Sequence, residues 1–194
     1  MRRHLVVFAK APALGRVKSR LAAGIGASAA LAFYRRTLAA LLRRVGRDRR
    51  WRTVLAVTPD RSANARVWPA HLPRRPQGRG DLGVRMGRVF RVWERGPAII
   101  IGADIPDITP AHIAQAFRAL AGADAVFGPA RDGGYWLVGL RRGPKPPDIF
   151  KNVRWSTKHT LSDTLANLKG RRVVQIDTLE DIDDVAAYRR WRNR

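Results

Sequence analysis

The sequence predicts an α/β protein of three layers, in which helices cover both faces of a central sheet whose strands are mostly parallel. The first observation behind this prediction is that short apolar runs alternate along the chain with longer amphipathic segments. Such alternation is typical of strand–helix–strand units, which build parallel sheets. The second observation is that two strand-like runs, 123–128 and 134–140, are separated by only five residues. Because so short a link cannot contain a crossover helix, we expect an antiparallel pair or a side hairpin there.

The elements of the amino-terminal half follow from the spacing of apolar residues. Residues 5–9 ("LVVFA") form an uninterrupted apolar run and predict the first strand, and 53–57 ("TVLAV") predict the second. Between them, residues 28–44 carry apolar side chains at helical spacing, with arginines on the opposite face. Residues 82–93 have the same spacing and predict another helix, and 98–101 predict a third strand.

The carboxyl-terminal half continues this order. Residues 109–120 are a predicted helix, because Thr109 is a good N-cap and Pro110 suits the first helical position. Two further helices are predicted at 156–168 and 182–191, and a strand between them at 171–176. Surface loops are predicted at 74–81 and 143–148. Ser156 or Thr157 would cap the first of these helices.

Length and composition exclude several classes of protein. A chain of 194 residues, 45% of them hydrophobic, can bury one core, so we expect residues 1–194 to form a single domain. The chain has no cysteine, which excludes a disulfide framework and a thiolate metal site. No apolar run reaches about eighteen residues, and the first one stops at Lys10 without a cleavage site. We therefore expect a cytoplasmic protein without a membrane span.

The net charge of +23 favours anionic partners. Of the 38 basic residues only six are lysine, so an arginine-rich composition is a sufficient explanation for much of this charge. The basic residues are scattered along the chain, and no nucleic-acid-binding module accompanies them. We expect no specific nucleic-acid partner, although non-specific binding at low salt follows from the charge.

The segment 8–21 ("FAKAPALGRVKSRL") follows the first predicted strand and carries Gly15 with three cations, Lys10, Lys18 and Arg20. Phosphates bind where backbone N–H groups and cations converge after a strand. The segment matches neither the Walker A pattern nor the dinucleotide fingerprint. It is either a phosphate-binding loop or an ordinary cationic loop of an arginine-rich protein.

Asp104 lies at the carboxyl end of the third predicted strand. Ligands of open α/β sheets bind beyond the carboxyl ends of the strands, where the loop after the first strand also begins. A carboxylate facing cationic groups there suits a Mg²⁺ ion bridging to a diphosphate. Asp107, just before Thr109 and Pro110, has the alternative role of shaping the turn into the next helix.

Two other acidic segments have both structural and functional interpretations. Asp132 precedes Gly133 and Gly134, which is typical of a tight hairpin turn and also allows a ligand to approach the backbone. Four carboxylates follow near the last predicted helix, at Glu180, Asp181, Asp183 and Asp184. They either stabilise the start of that helix or meet Asp104 around a metal, and spacing alone does not decide between the two.

Five segments together resemble the bacterial family called rSAM/selenodomain-associated transferase 1. They are "FAKAPALGRVKSRLA", "PQGRGDLGVRM", "IGADIPDITPAHI", "VFGPARDGGYWLVGL" and "VRWST", and the resemblance that rests on them covers nearly the whole chain. The resemblance implies a GT-A fold, the Rossmann-like three-layer αβα fold of the nucleotide-diphospho-sugar transferases. The early "KSRL" is similar to the loop of phospholactate guanylyltransferases, and the molybdenum-cofactor guanylyltransferases are more remote.

The resemblance implies a nucleotide site and a metal site. Lys18, Arg20 and Asp104 would be the catalytic residues. The nucleotide would be bound by two segments, with Lys10, Gly15, Lys18 and Arg20 at the phosphates and Gly78, Asp81 and Gly83 bordering the base or the acceptor. Asp104, Asp181 and Asp183 would hold Mg²⁺ or Mn²⁺.

The acceptor would lie beside Asp132, Gly133 and Gly134 on this resemblance. The leading expectation is a Mg²⁺-dependent nucleotidyltransferase that joins an NTP to a small acceptor bearing a phosphate or a carboxylate. One alternative is a glycosyltransferase that uses a nucleotide sugar. Another is a protein that binds nucleotide or nucleic acid without turnover.

Overall fold

The computed structural model of the chain describes residues 2–92, 96–141 and 147–193. Within these residues seven strands form one sheet: β1 (His4–Lys10), β2 (Arg52–Thr58), β3 (Arg74–Pro76), β4 (Ala98–Gly102), β5 (Ala125–Pro129), β6 (Tyr135–Leu140) and β7 (Val173–Gln175). The helices are α1 (Ser19–Ile25), α2 (Ala27–Gly46), α3 (Leu82–Val92), α4 (Pro110–Ala119), α5 (Thr160–Ala166) and α6 (Val185–Arg192), with a 3₁₀ helix at Asp60–Asn64.

The sheet has the strand order β3-β2-β1-β4-β6-β5-β7 and is mixed. β1 pairs in parallel with β2 and β4, and β6 is antiparallel to both β4 and β5. The hairpin β5–β6 is therefore antiparallel and part of the main sheet, which confirms the first of the two arrangements that its short link predicts. The predicted mostly parallel α/β fold, with a small antiparallel part, is confirmed.

Alternating strand residues bury two separate apolar faces of the sheet. Leu5 and Val7 of β1 face α2 and α4, where residues such as Leu41 and Phe117 complete one core. Val6, between them, belongs to the core on the other face, with α3. This period of two places helices on both sides of the sheet. The three-layer arrangement thus follows directly from the apolar pattern of the strands.

Several predicted boundaries are wrong. The segment 74–81 is not only a loop, because its first three residues form β3 at the edge of the sheet. The helix predicted at 156–168 begins only at Thr160, with His159 as N-cap, so neither Ser156 nor Thr157 caps it. Instead the Thr157 hydroxyl accepts a hydrogen bond from the backbone N–H of His159 in the preceding turn.

One helix, α1, has no counterpart among the predictions. It is only seven residues long and contains a glycine, so its apolar pattern is too short to stand out. Other predictions lie partly beyond the described residues: positions 143–146 of the predicted loop at 143–148, and Trp93 at the predicted end of the third helix. Among the described helices, none has the length and apolar character that crossing a membrane requires.

Candidate functional site at the carboxyl edge of the sheet

The parallel strands β1, β2 and β4 end at the same edge of the sheet, and the candidate residues gather there. The loop after β1 leads to Lys18, which adopts a left-handed backbone conformation (φ 49°) directly before α1. Asp104 follows β4 by two residues. Both side chains therefore reach one place from adjacent strands, as their positions after the strands predict.

Lys18 links two carboxylates that are far apart in sequence. Its ammonium nitrogen Nζ lies 2.9 Å from Asp104 Oδ2 and 2.6 Å from Asp183 Oδ1. The Lys18 side chain is 3% exposed, whereas those of Asp104 and Asp183 are 38% and 45% exposed. Burial opposes the charge of Lys18, but the two carboxylates outweigh it and raise its pKa above the ordinary value. Lys18 is therefore a buried cation whose charge is held by two ion pairs.

The carboxylates around Lys18 carry more negative charge than it neutralises. Partial burial, together with the nearby charges of Asp183, Asp132 and Asp104, raises the pKa of Asp181 to about 7. Burial also disfavours the charge of Asp183, but its ion pair with Lys18 prevails and lowers its pKa. The carboxylates of Asp104, Asp132 and Asp183 therefore lie close enough to Asp181 to affect its pKa.

The acidic run near the last helix divides into two functions. Asp184 is the N-cap of α6, where its side chain accepts a 2.8 Å hydrogen bond from the N–H of Ala187. Glu180 accepts hydrogen bonds of 3.0 and 2.6 Å from the Nε and Nη2 atoms of Arg190. Only Asp181 and Asp183 of this run line the candidate site. The structural interpretation of the run is therefore confirmed for Asp184, and metal binding by Asp181 and Asp183 stays a prediction.

A first cavity of about 360 Å³ opens beside Lys18 and is rich in cations. Its charged lining is Lys10, Arg16, Lys18, Arg20, Asp104 and Asp183. The Tyr34 hydroxyl also lines it, donating to the carbonyl oxygen of Lys10 (2.8 Å) and accepting from the N–H of Lys10 (3.0 Å). This pair of hydrogen bonds fixes the point where β1 passes into the cationic loop.

A second cavity of about 190 Å³ lies on the other side of Asp104. It shares Asp104, Gly102 and Leu82 with the first cavity. The rest of its lining comes from Ile105, the β5–β6 hairpin, the segment 155–157, Thr160 and Asp181. Asp104 thus stands where the two cavities meet, which is the arrangement that transfer between two bound molecules requires.

The hairpin turn at the second cavity depends on its two glycines. Asp132 Oδ1 accepts a 2.8 Å hydrogen bond from the N–H of Gly134, and both residues line the cavity. Gly133 has φ 87°, and a side chain there would collide with the backbone of Lys158. The tight turn and the candidate pocket therefore coexist, as the sequence suggests.

Several sequence-predicted candidates do not line either cavity. Asp81 holds the start of α3, its Oδ1 accepting from the N–H of Val84 at 2.8 Å. A side chain at Gly78 would meet the guanidinium of Arg88, and one at Gly83 would meet the ring of Trp155 at 2.6 Å. Gly15 (φ 68°) shapes the cationic loop, with open space around its Cα. Their direct contact with a ligand stays a prediction.

Sequence reasoning missed several residues of the site. Gln77 is buried and lines the first cavity, and its Nε2 donates to the carbonyl oxygen of Ala56 at 2.8 Å. Tyr34 also went unnoticed, because it lies within an apolar helical pattern. Trp155 belonged to a recognised motif, yet nothing in the motif indicated that its ring lines a cavity. Gln77 also belongs to a recognised segment, "PQGRGDLGVRM", but its place there does not indicate that it reaches the cavity, and Tyr34 carries no local signal at all.

The donor set of this edge fits a divalent cation. Asp104, Asp181 and Asp183 offer the hard oxygen ligands that Mg²⁺ and Mn²⁺ prefer, and burial together with neighbouring carboxylates raises the pKa of Asp181. Within residues 2–92, 96–141 and 147–193, no three acidic or histidine side chains are already arranged as a metal site. The ammonium of Lys18 stands between two of the three carboxylates instead.

Solved structures share this fold. A provisionally assigned nucleotide-diphospho-sugar transferase from Desulfovibrio desulfuricans G20 is 28% identical, with a TM-score of 0.84 over 95% of this chain and 84% of its own. The 4-diphosphocytidyl-2C-methyl-D-erythritol synthase of Anaerococcus prevotii is 11% identical, with a TM-score of 0.61 over 100% of this chain and 99% of its own.

Rv0371C of Mycobacterium tuberculosis H37Rv, in complex with manganese, is 16% identical, with a TM-score of 0.55 over 98% of this chain and 97% of its own. At such identities the last two likenesses establish the fold, which is GT-A-like. No curated protein matches the chain in sequence. A family match covers residues 41–157, more than half of the chain, which therefore belongs to the family described as "Uncharacterized protein conserved in bacteria (DUF2064)".

Proposed function

We propose that the protein is a transferase that depends on a divalent cation and uses a nucleotide-activated donor. The observation that carries this proposal is the position of Asp104, which is ion-paired with Lys18 at the junction of a cationic cavity and a second cavity that has no cation in its described lining. A donor with a diphosphate suits the first cavity, and an acceptor suits the second. The fold shared with nucleotide-diphospho-sugar transferases supports the same conclusion.

Lys10, Lys18 and Arg20 line the first cavity and would face the phosphates of the donor. Catalysis of this type needs positioning and neutralisation of charge rather than a covalent nucleophile. The loop that contains Gly78, Asp81 and Gly83 would border the base through its members Gln77 and Leu82, which reach the cavity.

Asp104, Asp181 and Asp183 would hold Mg²⁺ or Mn²⁺. The bound metal would neutralise charge on the diphosphate. The Lys18 ammonium now held between Asp104 and Asp183 would then be available to the phosphates. Rv0371C, a protein of the same fold, forms a complex with manganese, which is consistent with a divalent cation.

Two versions of the reaction fit this site. In nucleotidyl transfer an acceptor oxygen bonds to the α-phosphorus of an NTP and pyrophosphate leaves, as in the guanylyltransferases that the chain resembles. In glycosyl transfer the acceptor oxygen bonds to the anomeric carbon of a nucleotide sugar and a nucleoside diphosphate leaves. The likeness to the Desulfovibrio protein favours the second version, and the rSAM-associated family resemblance is compatible with both.

The proposal is tested by thermal unfolding with GTP, CTP, UTP and nucleotide sugars, each with and without Mg²⁺. We expect at least one of them to raise Tm, and Mg²⁺ to increase the effect, because a ligand that binds only the folded state stabilises it. Identification of the released product, pyrophosphate or nucleoside diphosphate, then separates the two versions. Stabilisation by duplex DNA at moderate salt, with no response to any nucleotide, would instead indicate a nucleic-acid-binding protein.

Replacing the junction carboxylate tests the metal site. Asp104→Asn should abolish the Mg²⁺-dependent part of nucleotide stabilisation, because the amide keeps the shape of the side chain but not its charge. The folded state should persist, since Asp104 is partly exposed. Asp107→Asn, in the same loop, is the matched control and should retain the Mg²⁺ effect. Loss of the Mg²⁺ effect in both variants, or in neither, would contradict the assignment.

A further inference from the structure

The second cavity has a charge opposite to that of the protein as a whole. The chain carries a net charge of +23, yet the residues that line this cavity include no lysine, arginine or histidine within the described part of the chain. Its three charged lining residues are Asp104, Asp132 and Asp181. Lys18 pairs with Asp104, and the proposed metal would take Asp104 and Asp181. Asp132 is therefore the lining carboxylate that neither cation contacts. An anionic group would meet the negative charge of Asp132 here.

One of the cations that adjoin this lining in sequence is held elsewhere. Arg154 directly precedes Trp155, but its Nε and Nη2 donate to the two carboxylate oxygens of Asp163 at 2.9 and 2.8 Å. The backbone N–H of Arg154 donates to the same carboxylate at 3.0 Å. This paired geometry is the strong form of an arginine–carboxylate contact, and it lowers the pKa of Asp163 well below its usual range. Arg154 is thereby directed away from the cavity lining.

The polar groups of the lining mainly accept hydrogen bonds. Ionised carboxylates are acceptors only. The hydroxyl of Thr157 already donates to the carbonyl oxygen of Arg154 at 2.9 Å, and that of Thr160 donates to carbonyl oxygens of Arg154 and Thr157, both at 2.9 Å. Their hydrogens are engaged, and each oxygen also accepts one backbone N–H, that of His159 at Thr157 and that of Thr157 at Thr160. Each oxygen keeps one further lone pair, which favours a ligand that supplies hydrogen-bond donors, as hydroxyl groups do.

Aromatic rings form the apolar part of the same lining. Trp155 packs over Gly83 and lies 5.9 Å from the ring of Phe150, which fixes its orientation. Tyr135 and Trp136 also line the cavity. Flat aromatic faces suit the C–H surface of a sugar ring or a polyol, while the carboxylates and threonines receive its hydroxyl hydrogens.

We infer that the acceptor is a neutral, hydroxyl-rich small molecule of the sugar or polyol class, an inference that rests on the proposed function. It replaces the phosphate- or carboxylate-bearing acceptor expected from the guanylyltransferase resemblance. In the step, the acceptor O–H bond breaks and its oxygen bonds to the donor carbon or phosphorus. The bond from that atom to the departing nucleoside diphosphate or pyrophosphate breaks with its electron pair. The proton passes to Asp132, the lining carboxylate that is not assigned to the metal.

The first test asks which small molecules drive donor consumption. A bacterial small-molecule extract is separated on an anion exchanger into a flow-through of neutral and cationic compounds and a bound, anionic fraction. Each is added to the protein with Mg²⁺ and the nucleotide donors that stabilise it. We expect the flow-through to stimulate product release severalfold and to contain the modified acceptor by mass spectrometry. Stimulation by the bound fraction alone, or by neither fraction while nucleotide still raises Tm, overturns the inference.

The second test probes the cavity without a donor. The fluorescence of Trp155 is isolated as the difference between the protein and Trp155→Phe, and its quenching by iodide and by caesium is compared with that of N-acetyltryptophanamide. We expect the ratio of the iodide quenching constant to the caesium quenching constant to be at least about threefold lower for Trp155 than for N-acetyltryptophanamide. Local negative charge would repel iodide and attract caesium. Equal or stronger iodide quenching of Trp155 overturns the inference.

Two conservative variants test whether the weak iodide quenching of Trp155 is caused by the charge of the cavity. Asp132→Asn should increase iodide quenching of Trp155, because it removes one lining charge and retains an acceptor for the N–H of Gly134. Asp60→Asn is the matched control, since Asp60 Oδ1 similarly accepts from the N–H of Gly78 at 3.0 Å but does not line this cavity. Failure of the proposed function would appear separately, as the absence of any nucleotide effect on Tm. The quenching result would still report the charge of the cavity.

Discussion

At the scale of single residues, Lys18 has the most consequential environment in the described structure. A lysine that is 3% exposed keeps its charge only when nearby carboxylates compensate for lost hydration, and Asp104 and Asp183 do so here. The same contacts hold together a strand-end loop, the end of β4 and the segment before α6. Lys18 therefore stabilises the folded structure at this edge of the sheet, in addition to its proposed role in catalysis.

Lys18→Met should destabilise the metal-free protein, because Asp104 and Asp183 would then repel each other without a cation between them. We expect a loss of about 1–2 kcal/mol in EDTA, below the 3–5 kcal/mol of a fully buried pair, because both carboxylates remain partly exposed. Calorimetry should also show tighter Mn²⁺ binding in the absence of nucleotide. Lys10→Met, an exposed lysine of the same loop, is the control and should change neither quantity. An unchanged Tm for Lys18→Met would contradict the bridging role.

Asp181 makes stability depend on pH in a defined direction. Its pKa rises from 3.8 to about 7 in the folded protein, so folding favours its protonated form. The stability from this proton is fully present below the ordinary pKa and is lost as pH rises through about 7. Asp181→Asn should therefore raise Tm in EDTA at about pH 8, and by less at about pH 5. A gain that is larger at the lower pH would show that the sign is wrong.

At the scale of elements, the start of α6 separates structural from functional carboxylates. Asp183 and Asp184 are adjacent, yet the first bonds to Lys18 and the second caps the helix. The extended backbone at Asp184, with φ −133° and ψ 177°, directs successive side chains to opposite sides. The N-cap geometry of α6 thus turns one carboxylate towards its helix and the preceding one towards the site.

This division predicts different effects for neighbouring substitutions. Asp184→Ala should lower the stability by about 1 kcal/mol through loss of the N-cap, with nucleotide stabilisation retained. Asp183→Ala should weaken the Mg²⁺-dependent nucleotide effect, because it removes a proposed metal ligand. Thermal unfolding with and without nucleotide and Mg²⁺ measures both. Loss of the nucleotide effect in Asp184→Ala at temperatures where it is folded would contradict this division.

At the scale of the whole molecule, positive charge gathers at both edges of the sheet. The edge opposite the candidate site, where β1 and β2 begin, has a cavity of about 740 Å³. Its arginines are Arg2, Arg3, Arg47, Arg49, Arg50 and Arg52, with Asp48 as their acidic neighbour in the lining. A surface of this kind attracts polyanions without reading their sequence.

We predict that the protein binds duplex DNA at low salt without sequence preference. If about six phosphates are contacted, the affinity should fall by about 10³-fold or more between about 50 and 200 mM salt. Fluorescence anisotropy with two unrelated duplexes of equal length measures both the slope and the preference. A strong preference for one duplex, or binding that persists at high salt, would contradict a purely electrostatic origin.

The local sequence pattern predicts the fold in most of its parts. Uninterrupted apolar runs predict strands that are buried on both faces. Thr109 with Pro110 predicts the start of α4, where the Thr109 hydroxyl accepts from the N–H of His112. The pattern does not predict the short elements α1 and β3, because each contains too few residues to show a hydrophobic period. Their formation depends on packing against neighbouring elements rather than on local propensity.

The sequence by itself determined the α/β layers and the position of Asp104 and the cationic loop at one edge, since the carboxyl ends of parallel strands coincide. Only the tertiary structure decided that Lys18 meets both Asp104 and Asp183, because 165 residues separate Lys18 from its second partner. It likewise decided that Asp184 caps a helix and that the second cavity has no cation in its described lining. Such contacts depend on how distant segments pack, and no local pattern records which side chains will face each other across a cavity.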